Sequence, residues 1–236
     1  SGTTSFSGVG TLRKTGAGTI EWGAGAVTFS LGAGALIDIQ EGVFTGGSYA
    51  NENWTTNLSD LNVATGSVFN GVEANVRVNR LSGTGTIKSG YGGAGYQALT
   101  FGVDNGSGAF DGLIVDSQSA ANIVKEGTGT IVFLGANTYT GSTLVSAGTL
   151  QVGDGGLIGT LGSGAVTISA GATLEINRGN DFGSAVGQTF SGAGTLVKTG
   201  AGVAVFKGNM SGLDNLVVFD GTVRTDNWNP WKDGLR

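Results

Sequence analysis

GALIDIQEG (Gly34–Gly42), AGTLQVGDG (Ala147–Gly155) and GATLEINRG (Gly171–Gly179) are three copies of one short pattern. Aligned, Ile37, Leu150 and Leu174 share a column, and Ile39, Val152 and Ile176 share another two places on. Asp38, Gln151 and Glu175 stand between them. This period of two sends the aliphatic pairs to one side of a strand and the polar residues to the other. So short a strand is marginal alone. Stacked on copies of itself, it builds an aliphatic ladder inside and a polar row outside, each copy touching only its neighbours.

A second motif recurs around the first. FSGVGTLRKTGAG (Phe6–Gly18) returns as FSGAGTLVKTGAG (Phe190–Gly202), with echoes in LSGTGTIKSG (Leu81–Gly90) and IVKEGTGTIVFLG (Ile123–Gly135). The GAG, GTG and TGAG runs supply residues that tolerate positive φ at tight corners. No segment keeps a helical period over three turns. An antiparallel sandwich also has short strands and frequent turns, but recurrence of whole motifs favours a solenoid. The expected fold is therefore all-β, a right-handed parallel β-helix of about ten rungs at roughly 20–25 residues each.

Composition agrees. Of 236 residues, 47 are Gly, yet Val, Ile, Thr and Phe fill the intervals, so the chain reads as strands and turns rather than disorder. The sole Pro is Pro230, as an uninterrupted hydrogen-bond ladder requires. There is no Cys, hence no disulfide framework and no thiolate chemistry. A net charge of −5 disfavours nucleic acid and anionic membranes as partners. No apolar run is long enough to span a bilayer as a helix. The opening SGTTSFSGVG has no basic or apolar leader region, so a secreted form is expected to have lost its signal.

Two longer stretches carry a family resemblance: LTFGVDNGSGAFDGLIVD (Leu99–Asp116) and IVKEGTGTIVFLGANTYTGSTLVSAGTLQVG (Ile123–Gly153). Together they resemble the autotransporter-associated β-strand repeat, also called the passenger-associated transport repeat. Phe110, Gly112 and Ile114 fit the first part of its pattern. Lys125, Gly127, Gly129, Thr130, Gly135, Asn137, Thr138, Tyr139, Gly141, Thr143, Val145, Gly148, Thr149 and Leu150 fit the second. Looser copies cover Phe6–Gly42 and Phe190–Gly208. The resemblance implies a secreted or surface-displayed bacterial β-helix whose role is to project, pack or fold. The membrane β-barrel that ends autotransporters is not in this sequence.

Groups capable of chemistry are sparse. Without His there is no Ser–His–Asp or Cys–His site and no usual zinc ligand. The seventeen Asp and Glu residues are never adjacent or two apart. Asp38 and Glu175 share a column position and are the acids most able to converge on a glycoside, although an outward solvated row is the plainer reading. Asp104 and Asp111 flank a glycine-rich turn without calcium-loop spacing. No phosphate-binding glycine motif occurs. Thr-x-Thr pairs at Thr84/Thr86, Thr128/Thr130 and Thr138/Thr140 are too scattered in register for an ice-binding face and read as β-branched packing. Tyr139, beside Asn137 and Gly141, reads as a corner residue whose ring covers a rung edge.

The chain is thus expected to form one solenoid domain over residues 1–226, with irregular rungs or a lateral loop at 43–80. Residues 227–236, with Trp228 and Trp231 bracketing Pro230, are expected to form a lid or an inter-subunit contact. No catalytic, cofactor-binding or metal site is assigned. The expected function is that of a non-catalytic extracellular structural or adhesive segment, at or beyond a bacterial surface. Its expected partners are further copies of itself, end to end in a filament, and host or cell-surface glycans. The alternative is a carbohydrate-binding or carbohydrate-cleaving β-helix.

Overall fold

The computed structural model describes residues 3–47, 52–92 and 95–225. The 227–236 tail, with its two Trp residues and Pro230, lies outside the described residues. So do residues 48–51, within the 43–80 stretch.

The described chain is a parallel β-solenoid of about nine turns, and it contains no helix. Each turn carries strands on up to three faces. The second face is the most regular. Its strands are Thr11–Lys14, Leu36–Ile39, Asp60–Val63, Leu81–Gly83, Gly108–Phe110, Thr130–Phe133, Thr149–Val152 and Thr173–Ile176. The later halves of Phe190–Lys198 and Gly212–Val218 follow, making ten levels numbered here 1 to 10. At ~4.8 Å per level the stack is on the order of 43 Å long. Turn length varies, from 19 residues between Ile131 and Leu150 to 27 between Gly83 and Phe110. The expected rung count and spacing are close to those observed.

The first face runs from Thr4–Gly8 and Val27–Leu31 through Asn122–Lys125 to the early half of Gly212–Val218. The third begins with Thr19–Ile20 and reaches Leu113–Asp116 at level 5. It resumes with Phe182–Gly183 at level 8. No third-face strand forms at levels 6 and 7. The 43–80 stretch supplies strands on all three faces, among them Val43–Thr45, Asp60–Val63 and Val76–Val78.

The core is the predicted ladder. Ile37 pairs with Leu61 and Ile39 with Val63; Ile131, Leu150 and Leu174 stack in turn, as do Phe133, Val152 and Ile176. Ile37, Ile39, Leu150, Val152, Leu174 and Ile176 are all fully buried. Levels 1 to 3 are filled differently, by rings: Phe6 on Phe29 at 5.2 Å and Phe29 on Trp54 at 4.0 Å between centroids. The indole N–H of Trp54 donates to the Gly46 carbonyl at 2.7 Å, so the buried ring leaves no orphan donor. Tyr139 departs from its expected place. It is wholly inside, and its hydroxyl is bonded to Thr143 Oγ1 at 2.8 Å. Gly162 lets it in, because a Cβ there would lie 2.4 Å from the ring.

Candidate functional site

The outer row of the second face was the place to look for catalytic acids. Asp38 and Glu175 do occupy one outward column. Between them lie Asn62, Ser82, Ala109, Val132 and Gln151, so six strand steps separate the two. Six steps span ~29 Å, whereas paired glycosidase carboxylates stand about 5–9.5 Å apart. The stack does not bring these acids together. Asp38 is instead tied down: it accepts Arg13 Nε at 2.8 Å, Asn62 Nδ2 at 2.9 Å and Gln40 Nε2 at 2.6 Å. Burial acts to raise its pKa, but these hydrogen bonds and the Arg13 charge outweigh that and hold the carboxyl below its ordinary value. Glu175 accepts the Thr199 hydroxyl at 2.6 Å.

Asp104 and Asp111 lie on level 5, either side of the strand Gly108–Phe110. Among the described residues no three acidic side chains gather as metal ligands. The Thr-x-Thr pairs do not form a double row. A single outward file appears instead, Thr130–Thr149–Thr173–Thr195 over levels 6 to 9. Sequence spacing hid it because turns of unequal length separate its members.

The alternation carries a signal that leads to three inward lysines. Lys14 pairs with Ile39, Lys198 with Ile176, and Lys125 with Phe101 and Val145, so each ammonium enters the stack in an apolar column. All three make the same contacts. Lys125 Nζ donates to the carbonyls of Glu126 (2.6 Å), Gly127 (2.9 Å) and Ala147 (3.2 Å). Lys14 donates to Thr15, Gly16 and Glu41, and Lys198 to Thr199, Gly200 and Asp220. Each lysine therefore gathers two carbonyls of its own corner and one from the next level. That next level contributes a glycine: Gly148, for example, has φ 59°, and a Cβ there would lie 2.4 Å from the Gly127 oxygen. Burial pushes the Lys125 ammonium down to about 8, against the opposing charge of Glu126. Burial lowers Lys198 as well.

Buried amides serve where strands are missing or short. Asn137 Oδ1 accepts the Ile114 N–H at 2.9 Å and its Nδ2 donates to the Thr160 carbonyl at 2.9 Å, linking levels 5, 6 and 7 across the third-face gap. Asn57 does the same on the first face, from the Leu31 N–H (3.2 Å) to the Arg77 carbonyl (2.8 Å). Lys125, Gly127, Asn137, Tyr139 and Gly148 all belong to one stretch of the chain, and each holds a structural place in the stack.

That stretch also carries a family likeness. Residues 123–152 match the passenger-associated-transport-repeat. The matched residues are set into a parallel β-solenoid. The match runs from Ile123, inside the first-face strand Asn122–Lys125, to Val152 at the end of the second-face strand at level 7. The chain is also similar to the adhesin BmaC autotransporter of Brucella suis biovar 1 (strain 1330), 31% identical over an alignment of 191 residues. The alignment covers 64% of this chain and 6% of that much longer relative. No solved structure matches the chain.

Proposed function

We propose that this chain is a non-catalytic, adhesive segment of a surface-displayed or secreted bacterial passenger, a stiff rod that holds contact surfaces away from the cell. The observation that carries this reading is the way the repeat is used. Its lysine, asparagine, tyrosine and glycines are consumed in corners and gaps, and its neighbours above and below continue the same ladder. The likeness to an autotransporter adhesin supports the adhesive part. The ~29 Å separation of Asp38 and Glu175 argues against glycoside cleavage by that pair.

The test is gain of adherence. The chain, inserted into the passenger of a non-adherent bacterium, should raise attachment to cultured cells several-fold, and the same insert carrying Leu174→Asp should not. Equal attachment with and without the intact insert would overturn the adhesive reading. Reducing ends released from polysaccharide by the purified chain would overturn the non-catalytic one.

Axial contact with a second copy is the further reading. Val217, Val218 and Phe219 at level 10 are 37%, 46% and 75% exposed, an apolar run among the described residues. Sedimentation at high concentration tests it, and a monomer throughout would sink it.

A further inference from the structure

At the corner between the first and second faces, a hollow of about 540 Å3 opens across levels 2 to 5. Gly34 forms one margin, and Asp60, Asn79, Arg80, Asp104, Asn105 and Ser107 supply the polar lining. We propose that this hollow is a binding site for a neutral saccharide, extending the adhesive reading above to a defined partner chemistry.

Its floor is built. Asn79 is 6% exposed. Its Oδ1 accepts the backbone N–H of Asp104 (3.1 Å) and of Gly106 (2.8 Å), and its Nδ2 donates to Asp60 Oδ1 at 3.1 Å. Asp60 Oδ1 also accepts the Arg80 N–H at 3.0 Å. One side chain thus fixes three levels around the hollow. Asn105, held at φ 60°, accepts from Thr128 of the next level.

The rim is not used up by the fold. The outward arginines Arg13 and Arg77 are locked in ion pairs with Asp38 and Glu126. Arg80 and Asp104 line one hollow, yet no ion pair within 4.0 Å joins Arg80 to Asp60 or Asp104. The Asp104 carboxylate, the second oxygen of Asp60, the Arg80 guanidinium and the Ser107 hydroxyl proton therefore face the space with hydrogen-bonding capacity in hand. Planar carboxylate, amide and guanidinium groups each present paired acceptors or donors, the pattern that matches vicinal hydroxyls on a sugar ring. Two carboxylates against one guanidinium leave the lining net negative, which disfavours uronic and sialic acids. No aromatic ring lines the hollow for stacking, so a single site should bind weakly, on the order of 1–10 mM. Many copies on one cell surface would raise the effective strength.

The experiment is an amide-resonance titration of the folded chain with the methyl glycosides of glucose, galactose, mannose and N-acetylglucosamine, with glucuronate and calcium chloride as separate arms. At least one neutral glycoside should shift the Asp104 and Gly106 amides, and Arg80→Gln and Asp104→Asn should each weaken it at least about tenfold. Both positions are exposed and leave the core untouched, so the variants' spectra elsewhere should overlay the parent. The proposal falls if no neutral glycoside shifts these amides at about 100 mM, if glucuronate or calcium alone does so, or if both variants bind unchanged. Cell attachment of the displayed Asp104→Asn variant separates the two readings. Attachment without glycoside binding sinks this site and spares the adhesive function; glycoside binding without attachment does the reverse.

Discussion

Level 6 contains two polar residues buried for opposite reasons. At one corner, Lys125 sits where three carbonyls converge and no N–H is available to them. At the third-face gap, Asn137 sits where one N–H and one carbonyl face each other across a missing strand. The first setting calls for a cation with several donors, the second for a group with one donor end and one acceptor end, which is a peptide unit in miniature. The interior of this solenoid is thus apolar along its faces and polar at its breaks, and backbone geometry decides which polar group each break accepts. The corner is also portable. Lys14 and Lys198 use it between the second and third faces, and Lys125 uses it between the first and second. The K-x-G-x-G motif therefore encodes a corner, not a face.

The largest effect should come from a charge placed where no break exists. Leu174 lies in the aliphatic column, fully buried, with no carbonyl cluster near it of the kind that serves Lys125. Leu174→Asp should cost more than about 4 kcal/mol and unfold neighbouring levels. Urea denaturation followed by circular dichroism measures this. A variant as stable as the parent would place position 174 outside and overturn the register.

Lys125→Met keeps the bulk and removes the donors, leaving three carbonyls unpartnered. A loss of about 2–4 kcal/mol is expected. Lys14→Met should cost less, since Lys14 is 5% exposed while Lys125 is fully buried. The titration has a definite sign. The folded pKa of Lys125 is about 8 against an ordinary 10.5, so between those values the unfolded chain binds more protons. Stability should therefore rise from about pH 8 to 10.5, and fall as pH drops back through 8. The slope should shrink in Lys125→Met, leaving the share of Lys198, whose pKa burial also lowers; an unchanged slope there would assign it to groups other than Lys125.

Asn137 tests the other kind of break. Asn137→Ala removes both bridges and should cost about 2–3 kcal/mol; Asn137→Asp keeps the acceptor for Ile114 and loses the donor to Thr160, and should cost about 1–2 kcal/mol at neutral pH. Hydrogen exchange at the Ile114 amide reports the break directly. Unchanged protection in Asn137→Ala would mean that the gap is closed by something other than the amide.

Much of this was legible in the sequence, and what was missed has physical causes. Period-two alternation placed Ile37, Leu150 and Leu174 correctly because burial on one side of a strand is a local property. The same alternation puts Lys14 and Lys198 inward, but a lysine in an apolar column reads as a surface residue until the carbonyls that hold it are seen. Tyr139 went astray for a related reason: a corner is where alternation breaks, so side-chain direction there depends on what the next level leaves open, here Gly162. Asp38 and Glu175 share a column, yet their distance depends on how many levels intervene, which a three-motif alignment does not count. The hollow at the first–second face corner was invisible for the strongest reason. Asp60, Arg80 and Asp104 come from three different levels separated by turns of unequal length.

The smallest effect belongs to the outer surface, where solvent competes. Arg13 is 60% exposed on its side chain while Asp38 is 5% exposed, so the pair sits at the boundary between a surface ion pair and a buried one. Solvent screening limits the arginine's share to about 0.5–1 kcal/mol at low salt. Asn62 and Gln40 remain on the carboxylate when the arginine is gone. Arg13→Gln should therefore shift the urea midpoint slightly at pH 7, and less again in 1 M salt. The acid side sharpens this. Because the folded pKa of Asp38 lies below its ordinary value, its stabilisation is complete above the ordinary carboxylate range and fades as pH falls through the lowered value. The parent and Arg13→Gln should consequently converge in stability as the pH is taken down through that lowered value. If the two curves instead stay parallel through the acid limb, the arginine contributes through packing of its aliphatic stem on the second face rather than through its charge.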